Sequence, residues 1–388
     1  MVDCVIVGAG VVGASLALAL GQTQRQVILL EKNPSRVAPM DDFQMRTIAL
    51  SYASVRIYSA LGVWEHLQKR AIPMKQVLVN VQGRTGACRL NARDEGLDAL
   101  GFVVSAQELE NVLYAQCAQL PNVTFHREAT IASKKQDPQG WDITIQSQTQ
   151  SWDCRAQLLI AADGVASQLR QEQGIACQHK EYGHTSILTN VRRRSLELDT
   201  ALERFLPFGA IALIPWQEDI ATFIWTTNAR EAARLQAMDD HTFLHACQDA
   251  CGPEVGEFYQ VGKRIALELT MHNATQQTGA RFLLMGNAAH SLHPIAAQGL
   301  NLSLRDIWQL RSQILRGPGI DMGSTVFLNS YLLARKPDQS RVVLATDAIA
   351  SYMLGPHLST RIRALGISLF DNLMPVKKMF TRYSMGIL

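Results

Sequence analysis

Gly8-Ala9-Gly10-Val11-Val12-Gly13 has the spacing of a turn that cradles phosphate. Gly8 permits a tight turn, Gly10 lets the backbone approach a pyrophosphate, and Gly13 lets helix and strand pack closely. The helix that follows offers free N–H groups and a positive dipole end to a phosphate. Glu31 lies 18 residues beyond Gly13 and closes the next apolar run, where a carboxylate can accept two ribose hydroxyls. The glycine turn alone is a weak signal. With a strand before it, a helix after it and the acid in place, it predicts a dinucleotide site without saying which dinucleotide.

Three later segments have chemistry of the same kind. Leu158–Ala162 is an apolar run ending at Asp163-Gly164, with Arg170 just beyond; alone, that is ordinary turn chemistry. Leu283–Met285 ends at Gly286-Asn287, a polar side chain beside small residues, which suits the hydroxyl chain of a ligand held close to the backbone. Pro294-Ile295-Ala296-Ala297-Gln298-Gly299-Leu300-Asn301 feeds a helix at Leu302–Leu315. A helix start of that type stabilises negative charge on a ligand.

The elements that must position these residues follow from periodicity. Val2–Val7 reads as a buried parallel strand, Ala14–Leu20 as a buried helix and Val27–Leu30 as a second strand, giving a β-turn-α-β unit. Met45–Leu50 reads as a loop leading into a helix over Ser51–Leu61. Val77–Val81 reads as an antiparallel strand and Ala106–Gln119 as a helix. Val123–His126, Trp141–Gln146 and Leu158–Ala161 read as strands, with Lys134–Gln139 a hairpin tip. Between about Tyr182 and Gln277 the pattern turns to β-branched and aromatic strands at Ser186–Val191, Ala210–Pro215 and Ala221–Thr227, and one helix over Glu231–Ala250. Phe282–Met285 returns to the buried strand type. From Asp321 the chain is mostly helical, with breaks at Pro356 and Pro375. The expected class is α/β (α+β). A Rossmann-like nucleotide domain spans 1–75, 105–180 and 278–320, a domain on an antiparallel sheet spans 76–104 and 181–277, and a helical C-terminal region spans 321–388.

Taken in order, the motifs resemble the FAD-dependent aromatic hydroxylases of the para-hydroxybenzoate hydroxylase type, from the N-terminus to about Leu315. The glycine turn resembles that family's FAD fingerprint and Asp163-Gly164 its D-G motif. Gly286-Asn287 stands where the family usually has Gly-Asp, whose acid bonds the ribityl chain. Arg46-Thr47-Ile48-Ala49-Leu50 is similar to the R-x-I-A-L segment of the ubiquinone-biosynthesis hydroxylases (the UbiH/UbiF/UbiI group), as is the run from Gly286 to Leu302. Asn287, Glu203-Arg204-Phe205, the stretch Gly209 to Pro215 and Gly262-Lys263-Arg264 look like the UbiH branch. Gln107 occupies the place where many relatives have Arg, at the start of a helix that meets the flavin.

The resemblance implies a para-hydroxybenzoate hydroxylase-like fold with FAD held by Gly8, Gly10, Gly13, Glu31, Arg46, Gln107, Asp163, Gly164, Gly286, Asn287, Gln298, Gly299, Leu300 and Asn301. Pro294, Gln298 and Gly299 would form the flavin-ring environment, with no acid or base assigned. The implied reaction hydroxylates a polyprenylated phenol through a flavin C4a-hydroperoxide. NAD(P)H would bind transiently, since no second glycine fingerprint is present. The strands around Ala210–Pro215 and Phe223–Trp225 would wall the substrate. Two rival readings stay open: an epoxidase or prenyl reductase of the same architecture, and a non-catalytic scaffold holding FAD or a lipid.

Composition narrows the remaining classes. The 388 residues are 47% hydrophobic and 18% charged, enough for a large core. Lys+Arg 37 against Asp+Glu 34 gives +3, which does not point to nucleic acid. Seven scattered cysteines without a CxxC pair read as reduced thiols of a cytoplasmic protein. Cys4–Leu20 lacks a basic flank and contains the glycine turn, so it does not read as a leader. His290/His293 and His241/His245 lack a third ligand at matching spacing, so no metal is expected. Arg192-Arg193-Arg194 reads as a solvated turn. The tail Leu365–Leu388 is apolar with Lys377, Lys378 and Arg382. Ordinary packing is the first reading; peripheral contact with the inner membrane surface or with other ubiquinone-biosynthesis proteins is the second. Homo-oligomerisation is left open.

Overall fold

The computed structural model describes residues 1–34, 41–194, 199–217, 219–293, 295–317, 319–354 and 358–387. Its first half is built on Val2–Val7, whose central residues are fully buried and which pairs in parallel with Val27–Glu31 on one side and with Ser151–Ala161 on the other. Val123–Arg127 extends the parallel sheet beyond Val27–Glu31, and Phe282–Leu284 extends it beyond Ser151–Ala161. A strand buried on both faces has no polar side, which is why these runs read as continuous apolar segments. An antiparallel extension, Ala129–Asp137 and Gly140–Ser147, leans on Ser151–Ala161. The helix Val11–Gly21 has nine consecutive buried residues, Gly13 to Gly21. It is apolar all round because it lies between the sheet and the helices Ala106–Ala118 and Gln298–Arg316.

The second half is a nine-stranded sheet whose main path runs His290–Ser291, Ile265–Ala274, Cys177–Arg194, Ile220–Asn228, Ala210–Pro215, Thr200–Phe205, Gln76–Val81, Ala87–Asn91. One face buries Leu202, Ile211, Leu213 and Phe223 with Phe243 and Cys247 of a covering helix. That cover is two helices, Ala229–Ala237 and Asp240–Cys251, and not the single helix expected over Glu231–Ala250. The chain leaves helical geometry at Met238 and Asp239, and the Asp239 carboxylate restarts it by accepting from the Thr242 amide at 2.9 Å. The opposite face looks toward the nucleotide half.

A small third sheet joins the halves. Thr47–Ser51, expected as a loop, is a strand paired with Gly101–Ser105, which also pairs with Ile72–Met74. Its pairing partner is some fifty residues away, so local pattern could not reveal it. Arg192-Arg193-Arg194 ends a strand instead of forming a solvated turn: Arg192 pairs with Asp219, Arg194 with Glu257, and buried Arg193 donates to the Val255 carbonyl. Three helices, Thr325–Met353, Thr360–Asn372 and Met374–Ser384, complete the described chain. Pro337 lies inside the first and Pro375 in the opening turn of the last, where its missing N–H costs no hydrogen bond; Pro356 lies outside the described residues. All seven cysteines are free thiols.

Candidate functional site

Parallel register puts Val7 beside Leu30 and Ala161, and Ala161 beside Leu284. The glycine turn, Glu31, Asp163-Gly164 and Gly286-Asn287 therefore leave the sheet along one edge, at the carboxyl ends of four neighbouring strands. Ligands of open α/β sheets bind outside such an edge.

Each turn is fitted to the next. A Cβ on Gly8, at φ +98°, would stand 2.4 Å from the Ala162 carbonyl oxygen, and one on Gly13 would stand 1.8 Å from the Gly8 oxygen. Gly286, at φ +64°, is packed against Val12. Gly10 differs: a Cβ there would meet no protein atom within 4 Å. The space over Gly10 is open and borders the start of the Val11–Gly21 helix, which has no side-chain cap.

The helix starts sort into two kinds. Ser51, Ser105, Asn228, Asp239, Ser324 and Ser359 each cap the helix they precede through a side-chain oxygen. Trp64–Leu67, Met374–Ser384, Val11–Gly21 and Gln298–Arg316 have no such cap, and in the last two Gly10 and Gly299 have open space over the Cα. The first N–H groups of those two helices are left for a ligand.

Polar groups at the edge match. Glu31 Oε2 accepts from the Ala9 amide at 2.9 Å, tying the acid to the turn, while Oε1 accepts from Asn33. Asp163 Oδ2 accepts from the Gln168 amide at 3.1 Å, and its Oδ1 is buried without a partner. Asn287 is exposed at the fourth strand end.

Several supports were not visible in sequence. Tyr114 donates to the Ala9 carbonyl at 2.6 Å and is stacked under the Arg127 guanidinium; burial pushes its hydroxyl up to about 12. Arg170, 4% exposed, donates to the carbonyls of Ala288 and Val165, joining the Asp163 and Asn287 loops. His290 Nε2 lies 3.0 Å from Asp306 Oδ2 in the Gln298–Arg316 helix, and Arg335 donates to the other oxygen at 2.5 Å. Burial raises the Asp306 carboxyl, but His290 and Arg335 outweigh it and hold it below the usual range.

The remaining expected residues divide. Arg46 is exposed, and its carbonyl accepts from the Ala106 amide at 2.9 Å, which brings it beside Gln107. Gln107, Asp41, Asp42, Met45, Glu108 and Asn111 line a cleft of about 480 Å³. Asn301 has its side chain fully engaged: Oδ1 accepts from the Ser51 amide and the Ser54 hydroxyl, and Nδ2 donates to the carbonyls of Ala297 and Ala49. It fixes the helix start to the Thr47–Ser51 strand and turns no free group outward. Gln298 donates to the Ser384 carbonyl at 3.3 Å. Leu300 packs on the core. What this segment presents is the amides of Gln298, Gly299 and Leu300. Pro294 lies outside the described residues. Phe223 and Trp225 point into the far face of the sheet, so the intervening Thr222 and Ile224 face the site instead. His241 and His245 remain an exposed pair. Among the described residues one trio, Cys177, His179 and His272, brings possible ligand atoms within 4.8 Å of one another, with His179 exposed.

An extended dinucleotide with a flavin at one end fits these residues: open backbone over Gly10, an acid at the second strand, an unpartnered buried oxygen on Asp163, and a second free helix start. The fold and the edge define a flavin-dinucleotide-binding protein. The chain belongs to the FAD binding domain family, which it matches over residues 1–345, and FAD is its cofactor. It is 28% identical to the ubiquinone hydroxylase UbiL of Rhodospirillum rubrum, over all of this chain and 90% of that one. It is 25% identical to the human mitochondrial ubiquinone biosynthesis monooxygenase COQ6, over 98% of this chain and 92% of that one. In fold it is similar to the p-nitrophenol 4-monooxygenase PnpA of Pseudomonas putida DLL-E4, with a TM-score of 0.79 and 17% identity over 98% and 96% of the two chains.

Proposed function

We propose that the protein is an FAD-dependent aromatic hydroxylase that adds a hydroxyl to the ring of a polyprenylated phenol in ubiquinone biosynthesis, with NAD(P)H and O2 as co-substrates. The observation that supports this best is the alignment of four ligand-binding turns at one sheet edge, in a chain similar along its length to ubiquinone hydroxylases. The balanced reaction consumes a phenol, O2, NAD(P)H and a proton, and yields the hydroxylated phenol, water and NAD(P)+. Bound FAD supplies the redox chemistry, taking electrons from NAD(P)H and passing one oxygen atom of O2 to the ring.

The chain's own residues bind, orient and exclude water. The amides after Gly10 hold the pyrophosphate and Glu31 the ribose of the adenosine. Asp163 and Asn287 would hold the linking hydroxyls, Asn287 as a neutral partner. The amides of Gln298, Gly299 and Leu300 would lie toward the flavin ring, where a helix start favours negative charge. Arg46 and Gln107, brought side by side by the Ala106 amide, would border the flavin site.

The substrate reading also finds support in the tail. Ile362, Leu365, Leu369 and Met379 are each more than half exposed, with Arg382 51% exposed beside them. No described helix is long and apolar enough to cross a membrane. We infer that this face rests on the membrane that holds the prenyl chain.

The test is NAD(P)H oxidation by the FAD-loaded protein with and without a short-chain 2-prenylphenol, with the product identified by mass spectrometry. Acceleration by the phenol with a ring-hydroxylated product supports the reading. An epoxide, a reduced prenyl chain, or no turnover contradicts it.

A further inference from the structure

The face of the nine-stranded sheet that looks toward the nucleotide half has three rows. In the first, Thr222 bonds Thr47 at 2.7 Å, and the adjacent Asn190 donates to the carbonyls of Phe43 and Met45. In the third, Phe205 and Ala210 belong to the same hydrophobic cluster as Ile295 of the helix-opening loop. The middle row lies between these two attachments. Register assigns it Leu188, Ile224, Ala212 and Glu203, each beside the next, with Val79 following.

All four of these side chains are half-buried, as is Thr222 in the first row, whereas Phe205 and Ala210 in the third row are buried. The middle row therefore keeps accessible surface between the Thr47 attachment and the sealed third row, as the floor of a cleft would. Three of its residues are apolar and the fourth is a carboxyl.

The Glu203 side chain makes no hydrogen bond or ion pair with any described residue. Its strand neighbours on this face are Val79 and Ala212, and no charged group acts on it. Arg204 turns to the opposite face, where it binds Asn80 and Glu254, and Arg363 donates to the Leu206 carbonyl. Burial alone raises the Glu203 carboxyl to about 8. Surrounding protein removes its hydration while the cleft leaves it reachable. An isolated buried carboxyl in an apolar wall lowers stability, and such groups concentrate where a substrate is to be met.

We propose that Glu203 is a catalytic residue that receives the phenolic hydroxyl of the substrate and takes its proton while the ring is hydroxylated. This rests on the aromatic hydroxylase reading above. The phenolic O–H bond breaks, its electron pair stays on oxygen and flows toward the ring carbon under attack, and the proton joins a Glu203 carboxylate oxygen. When that carbon loses its hydrogen and the ring recovers aromaticity, the proton returns to the phenolic oxygen. A base near 8 suits this work better than an ordinary carboxylate, because it stands closer to the pKa of a phenol. Leu188, Ile224 and Ala212 would carry the flat ring.

The test compares wild type, Glu203→Gln and Glu203→Asp, each loaded with FAD. The probes are a short-chain 2-prenylphenol and its polyfluorinated counterpart, whose hydroxyl is already ionised at the assay pH. Flavin absorbance checks folding and loading. Wild-type turnover of the plain phenol is expected to rise with pH through about 8. Glu203→Gln should lose roughly 100-fold, a usual share for general acid–base help, and lose that rising limb. It should recover most of the rate on the fluorinated phenol, and Glu203→Asp should keep the limb. A Glu203→Gln enzyme with the wild-type rate and pH profile on the plain phenol overturns the proposal while leaving the hydroxylase reading intact. Equal losses on both phenols overturn it as well, by marking a purely structural role. A wild type that hydroxylates neither phenol sinks both.

Discussion

The Ala9 amide donates to Glu31 Oε2 at 2.9 Å, so the acid at the end of the second strand is held against the glycine turn at the end of the first. The pairing aims a carboxylate at the place where the ribose of a bound dinucleotide would pass. Glu31→Gln retains size and removes the charge. It is expected to weaken FAD binding about 10-fold, the size of one charge-assisted hydrogen bond. Fluorescence titration of the apoprotein with FAD measures this.

Gly10 and Gly13 should respond in opposite ways to an added side chain. Gly13→Ala drives a methyl group into the Gly8 carbonyl, and a loss of about 3 kcal/mol in stability is expected from such overpacking. Gly10→Ala places a Cβ where no protein atom lies within 4 Å. Its apoprotein should melt like wild type yet fail to take up FAD. Thermal melts and flavin content of the two variants separate fold from ligand.

Asn287 and Asn301 form a second contrasting pair. Asn301→Ala strips four hydrogen bonds from a residue 3% exposed. A stability loss of about 3 kcal/mol is expected, since several buried partners are orphaned. Asn287→Ala changes an exposed residue. It should leave the apoprotein's denaturation midpoint unchanged and weaken FAD several-fold, about 1 kcal/mol for one ligand hydrogen bond.

His293 sets a pH dependence of stability. Its Nδ1 accepts from the Ile295 amide, and burial lowers its pKa to about 4. Above about pH 6.5, the ordinary imidazole value, the ring is neutral in both the folded and unfolded states and its contribution to stability is complete. As pH falls from there toward 4, the unfolded chain takes up a proton that the folded one refuses, so stability declines. The fall has an upper bound of about 3 kcal/mol. Urea midpoints measured across that window should drop in wild type and drop less in His293→Asn.

The tail offers a test of membrane contact. Leu365, Leu369 and Met379 are 61%, 56% and 59% exposed. Changing all three to Ser should not lower the melting temperature, because each is exposed, but should reduce co-sedimentation with anionic vesicles.

What the sequence disclosed, and what it hid, follow from the range of the interactions. The glycine turn was legible because its spacing, and the Gly13 approach to the Gly8 carbonyl, belong to one turn and its flanking elements; the crowding of Gly8 by the distant Ala162 carbonyl was not. The Glu231–Ala250 helix was misjudged because one carboxylate, Asp239, splits it, and apolar periodicity runs on either side of such a cap. The Thr47–Ser51 strand and three of the four bonds of Asn301 were hidden because their partners lie far away in sequence, about 250 residues for Ser51 and Asn301. The direction of Gln298 was hidden for the same reason, since it depends on Ser384 in the last helix. Glu203 stood in a motif from the start, yet only strand register places it on the face that looks toward the nucleotide half.

Oxygen-isotope labelling tests the central claim most directly. The FAD-loaded protein is supplied with NAD(P)H, a short-chain 2-prenylphenol and 18O2 in unlabelled water. A flavin-dependent hydroxylase working in this cleft gives a ring-hydroxylated product that carries one 18O atom. A product whose new oxygen comes from water, or a phenol recovered unchanged while the cofactor is consumed, would contradict the account.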